Sequence, residues 1–302
     1  MRIAYLIAAH KDAKQLERLI NSLYVEDKTW FYVHIDKKSN IDDFSYLKNL
    51  PKTKILTQRI NVMWGGFSQC KVQLQLFKEC INDNIEFERI FMLSGLDYPL
   101  WSDKKIIDYL IINPDKELIM AYNLSKNGNA QQLQKVTRYH VRDLFKKQNY
   151  VTRVLIYLAR KTSFLFPKKS YITNKDEKTD VFMGSSWFCL TYNCMKYVYD
   201  TITSTTRFIN YFKYSFTPDE MMIHTIVFNS PYAEKAVYHS GDYPGLKNLT
   251  LLHYIEYTDK IATYCEKDFD KLIDSGKMFC RKIETGTSEE LIRMIDEHRN
   301  KI

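Results

Sequence analysis

Apolar positions along the chain alternate between two patterns. Ile3–Ala9 is a continuous apolar run, and it leads into Leu16, Leu19, Ile20 and Leu23 at helical spacing. That predicts a buried strand running into an amphipathic helix. Trp30–Asp36 is a second strand, rich in β-formers and closing on an acid. Strand, helix, strand with a polar residue at the carboxyl end is the opening of a nucleotide-binding α/β sheet. Lys54–Thr57 predicts a short third strand. After the turn Trp64-Gly65-Gly66-Phe67, Ser68 is placed to cap a helix with Val72, Leu76, Phe77, Cys80 and Ile81 on one stripe. Arg89–Ser94 is a further strand, ending in the loop Gly95–Pro99, where doubly wound sheets hold ligands. Ser102 caps a helix through Ile106, Ile107 and Leu110, and Glu117–Tyr122 reads as a strand.

The second half is less regular. Asn123–Gln132 reads as a polar, mobile loop. Tyr150–Phe166 places Val151, Val154, Leu155 and Leu158 at helical spacing. Val181–Tyr192 reads as turn and strand, with a helix from about Asn193. Ala236–His239 and Leu251–Glu256 are late strands, Phe279–Lys282 follows a helix end, and Ser288 caps a final helix with Leu291, Ile292 and Ile295. No Gly/Pro-rich linker divides the chain. The expectation is one α/β domain over 1–302, with a basic, partly mobile insertion at 123–180.

Charge sharpens that picture. The chain carries +8, but Lys135–Ser170 holds ten Lys/Arg and a single acid, Asp143, so this segment is +9 and the remainder about −1. Arg153, Arg160, Lys161, Lys168 and Lys169 flank the apolar positions of 150–166. Such a helix suits an anionic membrane surface; the alternative is a packed helix with a solvated basic face. No nucleic-acid-reading motif accompanies the charge, so no nucleic-acid partner is expected. No apolar run approaches the ~20 residues that span a bilayer, and Ile3–Ala9 is a strand, not a signal segment. The six cysteines form no CxxC pair. Reduced thiols in a cytoplasmic protein, at most peripheral on the inner face of the membrane, are expected.

The candidate chemistry centres on Phe216–Thr225, reading FTPDEMMIHT. Thr217-Pro218-Asp219-Glu220 has the form of a helix start, with capping-box spacing between Thr217 and Glu220. Its other reading is a general base, Glu220, facing a cleft. Dinucleotide and P-loop glycine fingerprints are absent. The one literal DxD, Asp268–Asp270, falls late on a helix, away from the strand end a metal-binding DxD needs, and no metal site is expected there.

Taken together, AYLIAAHKD (4–12), VHIDKKS (33–39), WGGFSQ (64–69), LSGLDYP (93–99), GSSWF (184–188), TPDE with IHTIVFNSP (217–231) and FCRKIE (279–284) resemble the core-2/I-branching β-1,6-N-acetylglucosaminyltransferases, whose wider family includes the peptide O-xylosyltransferases. The small size and plain N-terminus look like a prokaryotic member. The resemblance implies a GT-A type fold, with a Rossmann-like mixed sheet flanked by helices, and an inverting, metal-independent transfer of a sugar from UDP. It implies Glu220 as the catalytic base. Ala8 or Ala9 and His10 line the base pocket, Asp36 contacts the uridine or ribose, and Trp64 packs near the nucleotide unless it is a core tryptophan. Asp97 and Trp187 fall near the donor sugar, and Arg281 and Lys282 near the diphosphate. Where some members carry a further diphosphate-gripping arginine, Thr258–Tyr264 offers only Lys260. Arg138, His140, Tyr254 and Glu256 are the expected acceptor contacts. Xylosyltransferases carry an acid where Ser186 stands, so GlcNAc and xylose both remain open as donor sugar. The expected acceptor is a glycan or lipid-linked hydroxyl. A non-catalytic sugar-nucleotide or glycan-binding protein is the alternative; it keeps Asp36 and Trp187 without needing Glu220.

Overall fold

The computed structural model describes residues 1–145, 149–174, 177–257 and 261–301. Strand β1 (Ile3–Ala9) leads into helix α1 (Ala13–Leu23), followed by β2 (Thr29–Ile35), β3 (Thr53–Ile55), helix α2 (Ser68–Asn82) and β4 (Arg89–Ser94). The central sheet runs Cys189–Thr191, β4, β1, β2, β3. All its pairings are parallel except that of Cys189–Thr191 with β4. The expected α/β class, a mixed sheet flanked by helices, is the one the chain adopts.

The side-chain period of two splits β1 between two cores. Ile3, Tyr5, Ile7 and Ala9 pack with Leu16, Leu19, Ile20 and Leu23 of α1 on one face. Ala4 and Leu6 pack with Val72, Leu76, Phe77 and Cys80 of α2 on the other. Tyr5 stacks between Phe31 and Phe91, with ring centroids 5.5 and 5.1 Å away. Burial on both faces explains why these strands read as unbroken apolar runs.

Register brings the functional loops together. Ala9 lies opposite Ile35, and Ala8 opposite Ser94. The residues that follow, His10, Asp36 and Gly95, therefore emerge from one edge of the sheet. Asp36 N–H donates to the Ala9 carbonyl at 2.8 Å, and Gly95 N–H to that of Ala8 at 3.0 Å. A Cβ on Gly95 would sit 2.8 Å from the Ala9 methyl, so only glycine allows this approach. Two small sheets extend the platform. One orders Val237–His239, Met120–Asn123 and Phe182–Gly184; the other orders His253–Ile255, Phe279–Arg281 and Asp97–Pro99.

Local expectations failed mainly at caps. Ser68 does not cap α2; its hydroxyl bonds the Asp143 carboxylate at 2.8 Å. Ser288 donates to the Tyr264 carbonyl at 2.6 Å instead of capping helix Glu289–Arg299. Thr217 makes no side-chain cap either. Buried, the Ser68 and Ser288 hydroxyls met partners distant in sequence, and that of Thr217 met the Glu220 side chain, in preference to a helix N–H. Ser102 does cap its helix, accepting from Lys105 N–H at 3.3 Å. Asn123–Gln132 is not a loop: the Asn123 and Asn129 side chains cap helices Leu124–Asn127 and Ala130–Thr137. Phe279–Arg281 does follow a helix end, that of Phe269–Ile273, and is a buried strand in the third sheet. All six cysteines are free, five of them buried.

Candidate active site

Glu220 closes a single turn, Pro218–Glu220, whose entry is unusual. Thr217 adopts a left-handed backbone, with φ 49°. Its N–H donates to the Gly65 carbonyl at 3.1 Å, and Phe216 N–H donates to the Lys135 carbonyl at 2.8 Å. Gly65 has φ +71°, and a Cβ there would lie 2.5 Å from the Phe216 ring, so the WGG turn is shaped to the 216–220 loop. In place of a capping box, the Thr217 hydroxyl donates to Glu220 Oε2 at 2.8 Å, and Lys135 Nζ lies 3.1 Å from the same oxygen. The Glu220 side chain keeps 14% of its surface exposed. Its Oε1 has no hydrogen-bond partner among the described residues. One carboxylate oxygen is thus tethered and the other is open, a suitable arrangement for a proton acceptor.

Asp219 points inward. Ser186 Oγ donates to its Oδ2 at 2.6 Å and Gln69 Nε2 at 3.1 Å. Burial, with the charge of Glu220 alongside, pushes its carboxyl up to about 7. The Ser186 contact carries the site across to the third sheet, because the next residue, Trp187, has the Arg281 guanidinium 4.8 Å over its ring. Arg281 is nine-tenths buried and donates to Asp97 Oδ1 at 2.9 Å, while His253 Nε2 lies 3.0 Å from Oδ2. Burial works against the charge on Asp97, but His253 and Arg281 outweigh it and hold the carboxyl below its ordinary range. Asp97 has no exposed side-chain surface. Its carboxylate is taken up by Arg281 and His253.

Asp36 is nearly buried, with Lys38 N–H donating to Oδ1 at 2.9 Å and Lys38 Nζ 3.4 Å from Oδ2. Its neighbour across the strand ends is His10, which desolvation and the cations Arg281 and Lys11 pull below the ordinary imidazole range, with Asp36 opposing. Lys282 is lowered by desolvation and then by Arg281 and Lys11. His10, Asp36, Arg281, Lys282 and Lys11 therefore share one electrostatic neighbourhood. The Lys282 ammonium has no ion pair among the described residues. Lys260 lies outside the described residues.

Trp64 is not a core residue. Its ring is 66% exposed, packs edge-on to Phe216 at 5.4 Å, and lies 5.2 Å beneath the Arg142 guanidinium. The four expected acceptor residues divide into two groups. His140 sits against Phe216, with centroids 5.3 Å apart, and Arg138 lies over Phe164. Tyr254 donates to Glu256 at 2.9 Å, and Glu256 pairs with Lys271 at 3.2 Å, in a separate network with Tyr264. Asp268 is likewise held by Lys271, at 2.8 Å, and by Cys265 N–H. Among the described residues no cluster of three or more His, Cys, Asp or Glu is placed to hold a metal.

Sequence reasoning missed Lys135, Ser186 as the partner of Asp219, His253, and Tyr257. Desolvation raises the Tyr257 phenol; its hydrogen bond to Thr250 opposes that, Glu220 raises it further and Arg281 lowers it. This tyrosine stands within the influence of both halves of the site. No local pattern marks it.

A family model described as "Core-2/I-Branching enzyme" matches residues 3–269. The chain is similar to Xylosyltransferase 2 of Rattus norvegicus, 22% identical over 99% of this chain and 34% of that protein. It is similar to Xylosyltransferase 1 of Homo sapiens, 22% identical over 98% of this chain and 30% of that protein. The chain spans about a third of the length of the curated relatives it matches. Among solved structures, S. aureus TarS 1-349 in complex with UDP-GlcNAc is 16% identical, with TM-score 0.28 over 43% of this chain and 36% of that chain. A 4-diphosphocytidyl-2C-methyl-D-erythritol synthase from Anaerococcus prevotii is 12% identical, with TM-score 0.37 over 80% of this chain and 88% of that chain.

Proposed function

We propose, for a chain that belongs to the Core-2/I-branching enzyme family, an inverting, metal-independent transfer of a sugar from a UDP-sugar to a glycan or lipid-linked hydroxyl. The observation that carries this reading is the Glu220 carboxylate, tethered through one oxygen to Lys135 and Thr217 and open at the other. In the reaction, Glu220 Oε1 takes the proton of the acceptor hydroxyl as its oxygen bonds the anomeric carbon from the face opposite the diphosphate. The bond from that carbon to the diphosphate oxygen breaks, and its electron pair leaves with UDP.

The leaving group gains negative charge, which fixed cations stabilise best when they need not reorganise. Arg281, held from behind by Asp97, and Lys282, with no ion pair among the described residues, fit that role. His10 and Asp36 at the strand ends are placed for the uridine and ribose. Trp187 offers a ring to the sugar while its other contact, Arg281, faces the diphosphate. GlcNAc and xylose are the donor sugars the family suggests.

The test is Glu220→Gln. It should keep UDP affinity and lose at least ~100-fold in transfer, the scale of a general base. Transfer at the wild-type rate overturns the base assignment, and a wild type that binds UDP-sugars but turns none over points to the non-catalytic alternative.

A further inference from the structure

The helix Tyr150–Thr162 buries none of its residues. The side chains turned toward the body are small or few: Thr152, Ile156, Ala159 and then Ser163 are the less exposed positions. The opposite arc, with the turn that follows, carries Val151, Val154, Leu155, Leu158, Leu165 and Phe166, all exposed, from 39% at Val154 to 73% at Phe166. A contiguous apolar strip of this kind is unusual on a protein surface that faces only water.

The charge around it is one-sided. Arg153, Arg160 and Lys161 lie on the same helix and Lys169 follows it, and none is ion-paired among the described residues. The one acid between Lys135 and Ser170, Asp143, is turned inward, accepting from Ser68 N–H and Oγ at 2.8 Å each. Two basic residues of the 135–170 segment are not part of this exposed set: Lys135 pairs with Glu220, and Lys168 donates to the Tyr211 carbonyl at 2.6 Å. The exposed apolar face thus has unpaired cations around it, its rim, and no anionic counterpart among the described residues. A second protein copy would bring its own cationic rim against this one. An anionic lipid surface complements both the rim and the strip.

We infer that this helix lies in the headgroup layer of an anionic phospholipid membrane, apolar arc inward, as a peripheral dock. The base of the helix is tied to the candidate active site. Lys168 N–H donates to the Thr137 carbonyl at 3.1 Å, and Thr137 ends the helix Ala130–Thr137 that carries Lys135 to Glu220. The dock therefore sets the membrane beside the carboxylate that faces the acceptor, which suits a lipid-linked hydroxyl. That last step rests on the proposed transfer; the docking itself does not, and is read without turnover.

The experiment is flotation of the full chain with vesicles of phosphatidylcholine containing phosphatidylglycerol, and with phosphatidylcholine alone. Wild type should float with the anionic vesicles, and each rim cation is worth about fivefold in partitioning. Arg153/Arg160/Lys161/Lys169→Ser should abolish that preference. Leu155→Glu with Leu158→Glu should reduce flotation by about tenfold or more through lost apolar burial, with little change in melting temperature because both side chains are exposed. A Leu155→Trp reporter should shift its emission to the blue on anionic vesicles. Wild type that does not float, or Leu→Glu variants that float equally well, overturns the proposal. So does a wild type that self-associates in sedimentation, becomes monomeric with the Leu→Glu pair, and ignores vesicles.

Discussion

Asp97 and Arg281 face each other as register partners on antiparallel strands, with Nη1 2.9 Å from Oδ1 and the carboxylate sealed from solvent. The aspartate is thus the fixed anchor, and the guanidinium it holds lies over the Trp187 ring. A guanidinium clamped in this way keeps its direction when a second anion arrives, which suits a leaving-group site.

Replacing Asp97 by Asn should destabilise the fold by about 3–5 kcal/mol at neutral pH, since it strands a buried cation. Urea unfolding measures this. The carboxyl is held below its ordinary value of 3.8 in the folded chain. Its contribution is therefore present above that value and lost as pH falls through the lower, folded one. The gap between wild type and variant should be full at pH 7 and close only in strong acid. A gap that is already closed at pH 6 contradicts the ion-pair account.

Lys135→Met removes the cation 3.1 Å from Glu220. That cation, with the Thr217 hydroxyl, fixes one carboxylate oxygen and leaves the other free. Its loss should lower kcat by about 10-fold or more through misplacement of the base, with UDP affinity unchanged. A kcat equal to that of wild type would mean that the tether does not position the carboxylate.

Metal independence predicts that transfer in the presence of excess EDTA equals transfer without it. A complete loss that Mn²⁺ restores would assign the leaving-group charge to a metal, and reduce Arg281 and Lys282 to an accessory role.

Much of the framework was legible in the chain because its causes are local. The apolar runs of β1, β2 and β4 and the stripes of α1 and α2 follow from burial and periodicity. The family motifs were legible as well, and the family model covers all of them except FCRKIE at 279–284. Hydroxyl caps were the weak point. Ser68, Thr217 and Ser288 each have a good local use, and each was drawn to a partner distant in sequence or to a neighbouring side chain.

By itself the sequence determined the order of strands and helices from β1 to β4, the burial of the central sheet, and the placing of a basic amphipathic stretch between Lys135 and Ser170. Those follow from the period of apolar residues and from where charge is written. Only the tertiary structure decided that Asp97 backs Arg281, that Lys135 and Lys168 leave the basic surface for the interior, and that the apolar arc of 150–166 faces outward. Each depends on which residues far apart in the chain become neighbours, from 43 positions for Lys168 and Tyr211 to 184 for Asp97 and Arg281, and no local pattern of side chains encodes that.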